Sequence, residues 1–259
     1  MAGWRSFVPF DFPALDCHAH IDPTVTRRQV ATLEGAQVFA MTRTLDDAEV
    51  AISNTQDGIY WAIGAHPGVR GAVDSWDLKR FESLAQTNFL VGEVGLDRRG
   101  SSAPHRAMLV EALAAAQGRI VSLHSAGRVR EVLDAVEQSG NRGVVLHWFL
   151  GDVTDIRRAI ELGCYFSVNA AMPDDALKAL PYERVLPETD FPASRGKTGA
   201  ARPGDISALE ATVARLTRLR PERVRRNWYI TLGSLIRDAS VVGIPKRLVV
   251  LCDEAGSSR

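Results

Sequence analysis

Eight short apolar runs, parted by stretches with helical periodicity, constrain this chain more than any other feature. The runs cover 14–21, 38–42, 59–65, 90–95, 120–124, 143–149, 164–169 and 185–189. Their interiors are rich in Val, Ile, Leu and Phe without long polar alternation, as in strands covered on both faces. Between them, Asp74-Ser75 caps a run through Leu78, Phe81 and Leu84, and 103–116 is rich in Ala and Leu up to Gly118. Further helical patterns cover 129–136, then 152–162 up to Gly163, and 173–180 with Pro173 near its first turn. Strand–helix alternation repeated eight times predicts an α/β fold whose parallel sheet closes through right-handed crossovers, a (β/α)8 barrel. An open doubly wound sheet is the rival, but it gathers its ligands at one switch point.

The ends of these runs argue for closure. Asp16-Cys17-His18-Ala19-His20 closes the first, and Glu93, His124, His147 and Asp190 each close their own. Histidines at i and i+2 of a strand share a face, so His18 and His20 can grip one metal ion, with carboxylates from other strands completing the shell. Asp16 would share that face one layer deeper, and Cys17 would point to the opposite face as a small buried hydrophobe. A site assembled from many strand ends is how a parallel barrel builds an enzyme.

Length and composition fit. The 259 residues, 46% hydrophobic and 24% charged, read as a single barrel domain over 1–259. Net charge is zero, so no global basic field advertises nucleic acid or a membrane, although charge can be local. Three cysteines without CxxC spacing predict a reducing compartment. Residues 1–10 lack a signal-peptide core, and no run approaches the ~20 apolar residues that span a bilayer, so a cytoplasmic location without membrane contact is expected. Past the eighth run, 194–205 reads as a basic Gly/Pro loop over the strand ends. Helical patterns follow at 206–220 and 222–236. Their arginines (Arg215, Arg218, Arg220, Arg223, Arg225, Arg226) read as solvated surface, and the tail from Ala255 as frayed.

The motifs, taken together and in order, resemble a known family. They are Asp16-Cys17-His18-Ala19-His20-Ile21-Asp22, Gly64-Ala65-His66-Pro67, Gly92-Glu93-Val94-Gly95-Leu96-Asp97, Leu123-His124-Ser125, Leu146-His147-Trp148-Phe149-Leu150-Gly151 and Glu188-Thr189-Asp190-Phe191-Pro192. Across 16–192 the chain resembles the TatD-type metal-dependent deoxyribonucleases, a branch of the amidohydrolase-like TIM barrels. The resemblance implies DNA hydrolysis by a water activated between two divalent ions, with Zn, Mg and Mn all compatible with the ligands. It implies that His18, His20, Glu93 and Asp190 hold one ion, and that Glu93 bridges to a second on His124 and His147. Asp190 would also take the proton of the attacking water. His66 is expected either to contact substrate phosphate or to hold the site by a hydrogen bond, and Asp22 and Asp97, like Asp16, to orient ligands. His105, behind Pro104 at a helix start, reads as surface.

The match departs at the substrate surround. The family carries an arginine close behind its fifth-strand His; here Arg128 stands further along and is expected to replace it. Trp148 stands where the family has Cys, and either stacks a base or fills the barrel wall. Arg98, Arg99, Arg128, Arg195, Lys197 and Arg202 can supply local positive charge for single-stranded DNA or DNA ends. Two alternatives stand beside the nuclease. One is an amidohydrolase in which the same activated water attacks a small amide or ester. The other is a subunit among other proteins of a bacterial antiviral defence system, whose TatD-like components the chain also resembles.

Overall fold

A computed structural model describes residues 12–69 and 71–257; the leader expectation for 1–10 lies outside them. The eight expected strands are present: β1 Leu15–Ala19, β2 Gln37–Met41, β3 Ile59–Ala62, β4 Leu90–Gly95, β5 Ile120–His124, β6 Val144–Leu146, β7 Tyr165–Val168 and β8 Val185–Pro187. All pair in parallel, in the order β1-β2-β3 and β4-β5-β6-β7-β8. An Ile63–Val91 bridge joins β3 to β4. At the last seam, Asp190 N–H donates to His18 O (2.9 Å) and His20 N–H to Phe191 O (2.7 Å). The fold is a (β/α)8 TIM barrel, and this seam joins its first and last strands.

The connecting helices are α1 Arg27–Ala31, α2 Leu45–Ser53, α3 Leu78–Gln86, α4 Ala103–Ala115, α5 Val129–Ser139, α6 Val153–Glu161 and α7 Asp174–Ala179. A short α8, Arg195–Thr198, sits inside the expected basic loop, followed by α9 Ser207–Thr217, α10 Pro221–Asp238 and α11 Lys246–Ser257. The cap of α3 is Asp77, which accepts from Arg80 N–H at 3.0 Å, rather than Asp74-Ser75. Ser75 instead closes the preceding turn onto Gly71 O. Sequence periodicity located neither α1, which is only five residues long and buries none of them, nor α2. The tail is not frayed at Ala255: α11 runs to Ser257 and buries Leu248, Leu251, Cys252 and Ala255. Among the described residues no helix is long and apolar enough to cross a membrane.

Two arginines expected in solvent, Arg225 and Arg226, are structural. Arg225 pairs with Glu210 between α10 and α9, both largely buried. Arg226 donates twice to Ala255 O and so ties α11 to α10. Arg215 is exposed, as expected, and forks onto Asp174 of α7.

Two strands break register, β1 between Asp16 and Ala19 and β4 between Val91 and Val94. Each shift is one residue, as a bulge produces, and bulges re-aim side chains beside functional sites. These two stretches contain His18 and Glu93. The β1 shift also corrects the reading of Asp16, which aligns with Val38 of the outer cluster under α1 and α2 and does not share the face of His18. Its carboxylate accepts from Thr189 N–H (2.9 Å), Thr189 Oγ1 (2.6 Å), Gly204 N–H (2.8 Å) and His18 N–H (3.3 Å). Burial raises its carboxyl to about 6, so at neutral pH it is ionised and purely an acceptor, which suits four donors. Asp16→Ala strands buried backbone donors on both sides of the seam, at about 1–3 kcal/mol each. Chemical denaturation is expected to show a loss of roughly 2–5 kcal/mol, and a loss below about 0.5 kcal/mol would show that the seam does not depend on Asp16.

Candidate metal centre

The barrel's strand ends bring Glu93 into the middle of five histidines. Its Oε2 lies 3.4 Å from His18 Nε2, 3.3 Å from His20 Nε2 and 3.5 Å from His66 Nε2. Its Oε1 lies 2.6 Å from His124 Nδ1 and 3.7 Å from His147 Nε2. Asp190 Oδ1 closes the first side, 4.0 Å from His18 Nε2 and 3.7 Å from His20 Nε2. His20, His147 and Asp190 lie just past the ends of their strands, where the chain can turn inward at the rim. Gly95 lets β4 and β5 close up here: at φ +146 it carries no side chain, and a Cβ would sit 2.0 Å from His124 O.

Three overlapping groups bring ligand atoms close enough to share a metal ion: His18, His20 and Asp190; His18, Glu93 and His147; and His66, Glu93 and His124. The fit can be tested on unsatisfied atoms. His18 is fully buried and Glu93 is 1% exposed, yet His18 Nε2 and Glu93 Oε2 have no hydrogen-bond partner. Leaving such atoms bare costs about 1–3 kcal/mol each, more for a charged group. A cation between them removes that penalty, and imidazole with carboxylate is a donor set for divalent metals.

The surrounding groups fix protonation. Burial, then the charge on His147, lowers His18 to about 3, so its ring is neutral at pH 7. Its Nδ1 is held by Ser122 Oγ at 2.8 Å, leaving Nε2 to face the cluster. Burial alone would raise the Glu93 carboxyl, but the adjoining His18 and the close His124 Nδ1 hold it well below the usual range. His147 Nδ1 lies 3.0 Å from Glu188 Oε2. Burial opposes charge on both, but their attraction prevails, raising His147 to about 10 and lowering Glu188 to about 2. Ser167 Oγ and Asn169 Nδ2 also donate to Glu188, so this fully enclosed carboxylate aims the ring of His147. Asp190 differs: burial raises its carboxyl to about 6, with the charges of Glu188 and Glu93 adding to the rise.

His66 accepts Gly68 N–H at Nδ1 (2.8 Å). In the neutral ring the proton therefore sits on Nε2, facing Glu93. Burial lowers His66 to about 4, so neutral is its form at pH 7. Its Nε2–H makes it a donor toward the centre rather than a ready ligand. Asp97 lies 3.0 Å from His124 Nε2 and also binds Arg99, so His124 is clamped between two carboxylates. Asp22 does not join the cluster; it is exposed and accepts from Thr24 N–H and Oγ1 in its own turn. His105 bonds Ser102 at the start of α4.

Beside the centre opens a cavity of about 770 Å³, lined among others by Arg98, Arg99, Trp148, Leu150, Asp190 and Lys197. Arg128 is not on it. As first residue before α5 it turns to Glu131, with Nη1 2.9 Å from Oε1. Arg98 occupies the ground expected of it, its stem lying over Gly127, where a Cβ would sit 2.6 Å from Arg98 Cγ. Arg202 is paired away with Glu34.

The family model described as TatD related DNase matches residues 15–231. The chain belongs to the TatD-related DNase family. It is 25% identical over 202 residues to the uncharacterized metal-dependent hydrolase YabD of Bacillus subtilis (strain 168), a match covering 68% of this chain and 79% of that protein. Its fold is similar to the crystal structure of YjjV, a TatD homolog of Escherichia coli K12, with TM-score 0.73 and 22% identity over 86% of this chain and 97% of that one. It is also similar to a TatD family hydrolase from Entamoeba histolytica, with TM-score 0.71 and 15% identity over 86% and 97% of the two chains. Family and donor set agree on a metal-dependent hydrolase.

Strand ends alone do not reveal Ser122 as a support of this TatD-family site, whereas Glu188, which shares the face of Asp190, supports the ligand candidate His147 from below. Both stand two residues before a ligand candidate, on the same strand face, and that spacing is the available signal. Removing the support of His147 is expected to weaken metal binding. Titrated against a competing chromophoric chelator, Glu188→Gln should lose roughly 10–100-fold in affinity for Zn or Mn. Unchanged affinity would mean that Glu188 does not aim the ring. Saturating metal should raise the melting temperature of the native protein, since about 100 Kd of ligand adds roughly 2.7 kcal/mol, and chelator should reverse the rise.

Proposed function

We propose that this chain hydrolyses phosphodiester bonds of DNA, at single-stranded stretches or ends, with two divalent cations. The observation that carries the reading is the division of Glu93: one oxygen faces His18 and His20, the other His124 and His147. A carboxylate so placed can bridge two cations. His18, His20, Asp190 and Glu93 would hold one, and Glu93, His124 and His147 the other, the two last histidines giving up their ring protons as the ion binds. When bound, such a pair supplies Lewis acidity, easing deprotonation of a water and neutralising charge on phosphoryl oxygens.

The chain's own residues do the rest. Asp190 lines the cavity with a carboxyl raised to about 6, close enough to neutral pH to accept a proton from an attacking water. His66 offers an Nε2–H donor to a phosphoryl oxygen on the same side. Glu188 and Ser122 keep His147 and His18 from rotating. Arg98, Arg99 and Lys197 give the cavity local positive charge that the zero net charge conceals. Such a lining suits a polyanion better than a small neutral amide or ester.

The test is hydrolysis of end-labelled single-stranded DNA by protein stripped of metal and resupplied separately with Mg, Mn and Zn. Cleavage should return with at least one ion and be lost in Asp190→Asn by roughly 10²–10⁴-fold in kcat. Metal binding without cleavage of any DNA under these conditions would overturn the reading.

A further inference from the structure

Part of the cavity lining has its own construction. Trp148 directly follows the ligand candidate His147 and adopts φ +39, a region that bulky residues rarely occupy. Its ring is half-buried, packed on the core along one side while lining the cavity. Over its face stands the ammonium of Lys197, 5.3 Å from the ring centroid. Lys197 is exposed, and none of the ion pairs found among the described residues involves it. Its position is fixed relative to the reaction centre: Lys197 N–H donates to Ser194 O, Ser194 N–H to Asp190 O, and Ser194 Oγ to Thr189 O. Leu150, 64% exposed, Val129 and Arg98 also line the cavity.

We infer that Trp148, Lys197 and Arg98 form a slot for a single nucleotide beside the metal centre. The inference rests on the phosphodiesterase reading above and adds to it the part of the substrate that the centre itself does not grip. A planar base stacks on the indole face and displaces the Lys197 ammonium. The displaced ammonium and Arg98 then take the phosphates on either side of that base. Two chemical demands meet in one place, a π-face for stacking and mobile cations for flanking anions, and a nucleotide meets both. At about 770 Å³ the cavity lies within the range of small-molecule sites.

The experiment compares metal-loaded wild type, Trp148→Leu, Trp148→Phe and Lys197→Gln on single-stranded oligonucleotides. Each oligonucleotide is intact or carries one reduced abasic residue, stepped along the positions near the cleaved bond. For wild type, kcat/KM should fall at a single position by roughly fivefold to a hundredfold, the range that base–aromatic stacking supports. Trp148→Leu should lose that discrimination and Trp148→Phe keep most of it. Lys197→Gln should keep the discrimination but flatten the dependence of KM on salt.

A second measurement titrates the metal-loaded proteins with deoxyadenosine 5′-monophosphate. Wild-type tryptophan fluorescence should be quenched by a component that Trp148→Phe lacks. Equal cleavage of intact and abasic strands by wild type, or undiminished discrimination in Trp148→Leu, overturns the slot while leaving the phosphodiesterase reading intact. Quenching that depends on Trp148 without cleavage of any DNA supports the slot and overturns the phosphodiesterase. Neither quenching nor cleavage overturns both.

Discussion

The backbone seam between the first and last strands is the interaction on which the rest depends. Asp190 N–H to His18 O and His20 N–H to Phe191 O join segments more than 160 residues apart in the chain. The same two bonds bring His18, His20 and Asp190 within reach of one ion. Long-range pairing carries a loop-closure cost that local contacts do not recover. Here the closure is reinforced by Asp16, whose buried carboxylate collects donors from both sides of the seam and from Gly204 beyond it. Barrel closure and ligand assembly are therefore one event.

Inside the closed barrel, the energetic difficulty is charge. Glu93 and Glu188 are both almost wholly enclosed, which is costly for a carboxylate without partners. Glu188 is satisfied by His147, Ser167 and Asn169, and so serves as a fixed support. Glu93 is satisfied on one oxygen and bare on the other. That asymmetry separates a structural carboxylate from one prepared for a ligand. The bulges in β1 and β4 are the backbone counterpart, turning His18 and Glu93 out of regular alternation. The nearby glycine Gly95 makes room for the strands to close around them.

The cavity beside the centre is furnished from loops. The basic residue expected behind His124 is diverted to Glu131, and Arg98 from the preceding loop lies across Gly127 in its stead. A tryptophan capped by a lysine lines the same cavity. The centre keeps its inward-facing ligands while the cations and apolar surface around it come from loops. Loops can change without disturbing strand pairing.

Much of this was legible in the sequence because strands leave local signatures. Eight apolar runs separated by helical periodicity, several with His, Glu or Asp at or near their ends, point to the barrel and to the ligand candidates. Side-chain direction was not legible where register shifts, because one extra residue reverses the face of its neighbours. Asp16 was therefore placed with the histidines, although it belongs to the seam. Asp22, expected from the resemblance to orient ligands, is claimed by its own turn. The fates of Arg128, Arg98 and Lys197 are decided by partners from other loops. Sequence determined which residues could reach the rim; only the closed tertiary structure decided which way each one faces, because burial and long-range partners act between segments that the chain order does not bring together.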